Sequence, residues 1–457
     1  MTVYDVLIDF TIASVLILVG QLLRAKIKFF QEFFMPASMI AGFLGLFLGK
    51  QFAGILPFSS GAGSYSGVLI ILIFTVVGVN GFSSGKKGAG GETVKRVLGF
   101  TLLKNIAFFS QFAVGIALTL TVIKAMVPDI NPGFGVLMAS GFTGGHGTAA
   151  AVGNTFEELG WAEAKDLGMT FATVGILSGI FGGLALIKTA TRKGWTAYIK
   201  DFKFISGELR TGLIQKENRK ALGGESTSSV SLDGLAFQLA VVVTIAGFGY
   251  MLNKFVLAPH VIKGIPDFTV AFLLALAFFM AAKKTPIYNY IDKSVTSHIS
   301  GTATDYLVFF GVSQINVGVI IEYALPLLIG IIGGWFCVLI VLFPFGHLMS
   351  DKSWFERAIF IFGYSTGVYA IGFVLLRIVD PDNLSHTVED TAMSPWLSFV
   401  EIFCWSLVPT MLLAGQGWTV VIVCVAAMVA TVIAAFILKT WWTAPLAGRG
   451  GYQGSED

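Results

Sequence analysis

Residues 138–148 read Met-Ala-Ser-Gly-Phe-Thr-Gly-Gly-His-Gly-Thr, and long apolar stretches lie on either side of them. Glycines and hydroxyls at membrane depth cannot face lipid, because the backbone groups they free from a helix would go unpaired. Such backbone persists only inside protein or beside a water-filled cavity. A second small and polar run, Gly363-Tyr364-Ser365-Thr366-Gly367, interrupts another apolar stretch near the other end of the chain. Everything else in the sequence bears on whether these two interruptions are partners.

The chain has 457 residues, 55% of them hydrophobic and 12% charged. Soluble domains carry roughly 25% charged residues, and the mean hydropathy is +0.79. The composition predicts an all-α polytopic membrane protein. A net charge of +3, with no basic patch interleaved by aromatics, gives no sign of a nucleic-acid partner. Cys337, Cys404 and Cys424 sit in apolar runs without metal-site or disulfide spacing, so they read as core residues. The first apolar run lacks a cationic leader and a small-residue cleavage site, and it reads as a retained helix.

A membrane span needs about 20 apolar residues. Eleven stretches qualify: 6–24, 36–56, 66–82, 97–123, 167–188, 231–256, 266–283, 300–320, 323–346, 395–413 and 418–439. The stretches 133–153 and 357–376 are broken in the middle and read as re-entrant loops. With the N-terminus outside, only Lys50, Lys124, Lys165, Lys254 and Lys263 of the 30 Lys+Arg fall on the outer side. The other cations, among them Lys86, Lys87, Lys104, Lys200, Lys203, Lys352, Arg377 and Arg449, fall on the cytoplasmic side. This positive-inside pattern predicts N-out and C-in.

Each half then carries four spans, a re-entrant stretch and a fifth span. Five is odd, so the second half must be inverted relative to the first. The expected organisation is a first repeat over 1–188, a cytoplasmic linker over 189–230 and an inverted repeat over 231–413. Residues 414–457 add an extra C-terminal span and tail. Broken segments at matching positions of two halves are a pointer to the binding site of a transporter.

Ser140, Thr143, Gly144, Gly145, His146, Gly147 and Thr148 combine exposed backbone with neutral oxygens. That mixture suits a carboxylate at a helix N-terminus and Na⁺ at carbonyls. Close helix packing through small residues would also account for the glycines. His146 reads best as orienting the loop through a backbone hydrogen bond. Ser365, Thr366 and Gly367 are the expected partners from the second loop. Arg377 is a candidate clamp for a substrate carboxylate; alternatively it reaches the cytoplasmic edge and pairs with Asp380 of the run Asp380-Pro381-Asp382-Asn383. Asp305, with Thr304 beside it, is a candidate Na⁺ ligand, because a carboxylate inside a span is costly. One turn from the surface it would merely favour the helix dipole. Asn80 and Asn316 fit either cation ligation or capping. Glu157 and Glu158 read as solvated, Asp5 and Asp9 as near-surface residues, and Glu401 as an intramembrane carboxylate whose partner the sequence does not give.

At Gly144-Gly145-His146-Gly147-Thr148 the chain resembles the bacterial glutamate:sodium symporter family, as a divergent member. The resemblance extends to Phe74-Thr75-x-x-Gly78-x-Asn80, to Pro36 followed by Gly42, and to Ile265-Pro266 with Phe268, over roughly residues 5–413. It implies Na⁺-coupled symport of glutamate in a bacterial inner membrane, by a homodimer with elevator-like alternating access. The second loop departs from the family pattern, with no proline before Pro381. That leaves another amino acid, a dicarboxylate or a hydroxycarboxylate open as substrate. The competing readings are a Na⁺/H⁺ antiporter with Asp305 as proton carrier, a channel, and an intramembrane enzyme. The last would need a nucleophile–base pair or metal-ligand spacing, which the five histidines do not offer.

Overall fold

The computed structural model describes residues 3–32, 35–81, 91–198, 207–219, 221–228, 230–260, 266–350, 353–380, 384–392, 394 and 396–441. Lys86, Lys87, Lys200, Asp201, Lys203, Lys263, Ile265, Lys352, Pro381, Asp382, Asn383 and Arg449 lie outside the described residues. The described chain is helical, with no strand among those residues.

The main helices are α1 (Val3–Lys26), α2 (Ala37–Leu48), α3 (Tyr65–Asn80), α4 (Gly91–Leu118), α5 (Phe134–Phe142), α6 (Gly145–Glu158), α7 (Ala164–Lys193), α8 (Gly234–Leu252), α9 (Asp267–Ala282) and α10 (Lys293–Ser313). They continue with α11 (Val317–Glu322), α12 (Ala324–Met349), α13 (Trp354–Val379), α14 (Thr387–Ala392), α15 (Trp396–Leu413) and α16 (Gly417–Ile437). Local chemistry sets several ends. Asp233 caps α8 by accepting from Leu235 and Ala236 N–H, as a short acidic side chain does at a helix start. Asp292 caps α10, and the N–H groups of Gly224, Val295 and Ser294 hold its carboxyl below the usual range. Gly194 ends α7 in the left-handed conformation.

Among the described residues seven helical segments are long and apolar enough to cross a membrane, so the chain is a multi-pass membrane protein, but the expected eleven full spans need correction. The stretch expected over 36–56 stops at Leu48, and its 12 residues cover about 18 Å of axis, less than the ~30 Å of a bilayer core. Asp267–Ala282 and Val400–Leu413 are also short apolar helices. The stretch expected over 300–320 begins at Lys293, because Asp292 caps it there, and stops at Ser313. Asn316 then caps α11 by accepting from Gly318 N–H. Its reading as a cap therefore holds, and Asp305 lies about three turns inside α10 rather than in its first turn.

The helices pack as two groups. In one, α3 lies on α9 and α10, α2 on α10 and α1, and α8 on α9. The approaches are close: a Cβ on Gly78 of α3 would lie 2.6 Å from Ala275 Cβ of α9, and one on Gly42 of α2 would lie 2.7 Å from Val312 Cβ of α10. In the other, α7 packs on α5, α6 and α13, while α4 packs on α5, α12 and α16. Small residues at such crossings let backbones meet, which is how helices associate in lipid.

Two elements fold back on themselves. A Cβ on Gly133, just before α5, would lie 2.4 Å from the Phe156 ring near the far end of α6. So α5 and α6 form a hairpin that turns at Thr143–Gly144. Within α13 the helix breaks at Gly367 (φ −149°, ψ 35°) and Val368 (φ 66°, ψ 172°). A Cβ on Gly363 would lie 2.7 Å from Gly372 Cα, and the Phe360 and Phe373 rings are 5.0 Å apart. The two parts of α13 therefore run back along each other as a second hairpin.

Asp9 overturns its near-surface reading. It is fully buried and accepts from the Ser59 N–H at 2.9 Å and from Tyr65 Oη at 2.9 Å. It fixes α1 to the segment that leads into α3. Lys104, placed among the cytoplasmic cations by sequence, is fully buried inside α4.

Candidate functional site

The hairpin tips meet. Gly145 has φ +64°, a conformation glycine adopts without the steric cost a Cβ brings. A Cβ there would lie 2.2 Å from Val368 Cγ1 at the other tip. Val368 has φ +66°, an uncommon and costly conformation for a β-branched residue. Behind the contact, α7 presents glycines. A Cβ on Gly175 would lie 2.4 Å from the Thr366 carbonyl, and one on Gly179 would lie 2.6 Å from Thr366 Oγ1.

Gln111 of α4 joins the two tips. Thr143 Oγ1 donates to Gln111 Oε1 at 2.5 Å, and Gln111 Nε2 donates to the Ser365 carbonyl at 2.5 Å. All three residues are buried. The amide therefore uses its acceptor on one hairpin and its donor on the other. Ser365 Oγ, also buried, has no hydrogen-bond partner among the described residues. A buried hydroxyl left unpaired costs free energy, and this one sits beside the break in α13.

The remaining predicted residues of the first tip are gathered here. Ser140 is buried and donates to the Leu137 carbonyl at 3.0 Å. His146 is buried, with Nε2 2.9 Å from Thr173 Oγ1 of α7. Its partner is thus a side-chain hydroxyl and not the backbone group expected from the sequence. Thr148 lies against Gly144, and Gly147 lies beside Ile70 of α3. At the second tip, Thr366 Oγ1 donates to the Phe362 carbonyl at 2.8 Å.

Four predicted residues are not brought to the tips. Arg377 is exposed in the last turn of α13, about 15 Å along the helix from Gly367. Asp380 accepts from the N–H groups of Leu384 and Ser385 at 2.8 Å each. Asn80 accepts from Thr296 Oγ1 at 2.7 Å and donates to Ser297 at 3.2 Å, so it ties α3 to the start of α10. Thr304 is exposed and donates to the Ser300 carbonyl at 2.9 Å. Asp305 is exposed beside it, near Ser38 of α2. Thr304 and Asp305 lie about two turns along α10 from the residues that hold Asn80, so these three do not form one cation shell.

Sequence reasoning missed a charged cluster behind the second tip. Lys104 Nζ lies 3.4 Å from Glu401 Oε1 of α15 and donates to Tyr369 Oη. Tyr364 Oη donates to the same Glu401 oxygen. The ammonium also sits 4.2 Å from the Tyr364 ring centroid and 4.5 Å from that of Tyr369. These tyrosines flank the break at Gly367–Val368. The signal in the sequence was Lys104-Asn105 and Gln111 inside an otherwise apolar run, since a polar residue within a span is functional by default.

An open cleft of about 330 Å³ lies along α6, lined by Ile70, Asn154, Thr155, Glu158, Lys165 and Asp267 among others. A neighbouring cleft of about 250 Å³ shares Ser64, Glu157 and Lys165 with it. Glu157 and Glu158 are exposed in these clefts.

A sequence model of the family described as sodium/glutamate symporter matches residues 3–352. Over 180 residues the chain is 29% identical to a protein named sodium/glutamate symporter from Haemophilus influenzae, covering 38% of this chain and 41% of that protein. Over 187 residues it is 28% identical to one of the same name from Escherichia coli, covering 39% of this chain and 43% of that protein. The matched stretch thus spans less than half the length of these relatives. The family match ends before α13, so the second hairpin and Glu401 lie beyond it.

Proposed function

This chain belongs to the sodium/glutamate symporter family, and we propose that it couples Na⁺ to the uptake of glutamate or a similar anionic amino acid or dicarboxylate. It is not an enzyme but a transporter of that family. The observation that carries the reading is the meeting of the two hairpin tips through Gln111, with the Ser365 hydroxyl left open beside them. The first turn of α6 supplies N–H groups that a helix start leaves unpaired, and its dipole favours an anion. The end of the first part of α13 supplies carbonyls, and Thr143, Thr148, Ser365 and Thr366 supply hydroxyl oxygens, which are hard ligands for Na⁺. Asp305, with Thr304 beside it, is a separate and more distant candidate for a Na⁺ site, and Asn80 lies apart from both. Arg377 remains a candidate for guiding the anion at the edge of the protein.

In this reading 1–188 and 231–413 are inverted repeats around the linker 189–230, and both hairpins are re-entrant. The packing supports it. The third stretch of one half lies on the second of the other, as α3 on α9 and α10 on α2, and each hairpin packs beside the fourth helix of its own half. The N-terminus is then outside and the C-terminus in the cytoplasm of a bacterial inner membrane. The group containing α4–α7 and α12–α13 would move as an elevator against the other, which would serve a homodimer. Coupling requires each ligand to favour the state that the other needs, and that linkage is reciprocal.

The test is accumulation of radiolabelled L-glutamate in proteoliposomes under an inward Na⁺ gradient. Accumulation that vanishes when Na⁺ is equal on both sides supports symport. Glutamate-independent, pH-driven Na⁺ flux in the same vesicles would replace it with the antiporter reading, with Asp305 as the carrier.

A further inference from the structure

The reading above needs a cation for the substrate's second carboxylate, and Arg377 stands exposed and away from the tips. Lys104 meets the requirement. It is fully buried, and its hydrogen-bonding partner Tyr369 is the first residue after the turn at Gly367–Val368. Its partner carboxylate comes from Glu401 on another helix, at 3.4 Å, and the Glu401 side chain keeps 13% of its surface exposed. The Lys104 side chain itself keeps none. The ammonium is therefore reached past Glu401 or past the part-exposed Tyr369.

A buried ion pair is weak evidence for stability, because desolvating both charges offsets most of their attraction. Inside a membrane such a pair is expensive and marks a function by default. The surroundings of this ammonium are suited to exchange. One carboxylate oxygen pairs with it at 3.4 Å, one phenol accepts from it, and two tyrosine faces lie beside it. A ligand carboxylate could replace the Glu401 oxygen without leaving Lys104 uncompensated. Tyr364 would then keep Glu401 hydrogen-bonded as it swings away, since its hydroxyl already donates to that carboxylate.

We propose that Lys104 is the residue that reads the substrate's side-chain carboxylate, and that Glu401 is the internal carboxylate which the substrate displaces. This rests on the anionic-substrate reading and names its specificity-determining residue. A glutamate fits the exchange charge for charge. A glutamine does not, because its amide would leave Lys104 facing a neutral group while Glu401 gave up its partner.

The experiment measures Na⁺-dependent binding of L-glutamate and L-glutamine to the purified full-length protein. The variants are Glu401→Gln and the double variant Lys104→Met/Glu401→Gln, which removes both charges together and avoids an unpaired buried carboxylate. The wild type is expected to prefer glutamate. Glu401→Gln is expected to tighten glutamate several-fold, and the double variant is expected to lose about 30-fold or more of the glutamate-over-glutamine ratio, by the usual cost of breaking a buried charge pair. A folded double variant with the wild-type ratio overturns the proposal and leaves symport standing. If the double variant does not fold, Glu401→Gln decides, and no gain in glutamate affinity overturns it. Absence of Na⁺-dependent glutamate binding by the wild type removes the functional reading itself, and this inference with it.

Discussion

The hairpin of α5 and α6 turns through Thr143 and Gly144 into Gly145 at φ +64°, whereas the hairpin within α13 turns through Gly367 into Val368 at φ +66°. Both tips need left-handed backbone. The first meets the need with glycine at little cost. The second meets it with a β-branched residue, for which such a conformation costs on the order of 1–3 kcal/mol. The surroundings differ to match. The first tip is held by Thr143 donating to Gln111 and by His146 pairing with Thr173. The second shares Gln111 and is gripped besides by Lys104 and Glu401 through the tyrosines on either side of its break. Backbone strain persists only where the surroundings over-determine it, and here a buried ion pair supplies that constraint. The relaxed tip is the one inside the family match, and the strained tip lies beyond it.

The largest expected effect comes from putting a side chain where the tips touch. Gly145→Ala would place a Cβ 2.2 Å from Val368 Cγ1 on a backbone with φ +64°. Left-handed backbone costs about 1–2 kcal/mol for a residue with a Cβ, and the clash adds to it. Na⁺-driven uptake should fall on the order of 10- to 100-fold. Adding Val368→Ala removes the clashing methyl and should restore part of the loss. Wild-type uptake by Gly145→Ala would show that the tips do not need to meet.

Next in size is the bridge. Gln111→Leu keeps the volume but leaves the Thr143 hydroxyl and the Ser365 carbonyl without the partner they have now. Each buried group left unpaired costs about 1–3 kcal/mol. Both uptake and thermal stability should drop, uptake by roughly 10-fold or more. If only stability falls, Gln111 fastens the hairpins but does not shape the site.

How much of this was legible in the sequence follows the same division. The first tip was visible because glycines and hydroxyls break an apolar run, and lipid does not tolerate that interruption. The place of the second hairpin was visible for the same reason: the expected 357–376 lies within α13. Its turn was not, since valine prefers extended backbone and nothing local announces Val368 at φ +66°. Gln111 and Lys104 were hidden because a single polar residue in an apolar helix has no local partner. Gln111 meets Ser365 across 254 positions, and only the packed fold makes that contact. Lys104 was assigned to the cytoplasmic edge by the positive-inside rule, which works on loops and cannot recognise a cation that a distant carboxylate keeps inside. Asp9 was misplaced for the same reason, because its donors are Ser59 and Tyr65 on another segment.

A smaller effect separates ligand binding from scaffolding at the second tip. Ser365→Ala removes a buried hydroxyl that has no hydrogen-bond partner among the described residues. Thermal stability should hold or rise, since a desolvated and unpaired group is lost. Ligand affinity should weaken by about 2- to 10-fold, the worth of one ordinary hydrogen bond. Thermal unfolding with and without L-glutamate and Na⁺ reads both quantities in one series. A drop in stability without ligand would mean that the hydroxyl already supports the hairpin.

The smallest expected effect tests where the second hairpin stops being part of the site. Arg377 is exposed in the last turn of α13, on the far side of the break from the first tip. An exposed cation about 15 Å along a helix from Gly367 is largely screened at physiological ionic strength. Arg377→Ala should therefore change the affinity for glutamate by less than about 2-fold, within the range of surface charges. Any effect on the uptake rate should shrink as salt rises, because steering is screened and contact is not. A large loss of affinity that persists at high salt would mean that the end of α13 folds in over the ligand during transport. The strained hairpin would then be the one that moves, with Arg377 rather than Lys104 closing on the carboxylate.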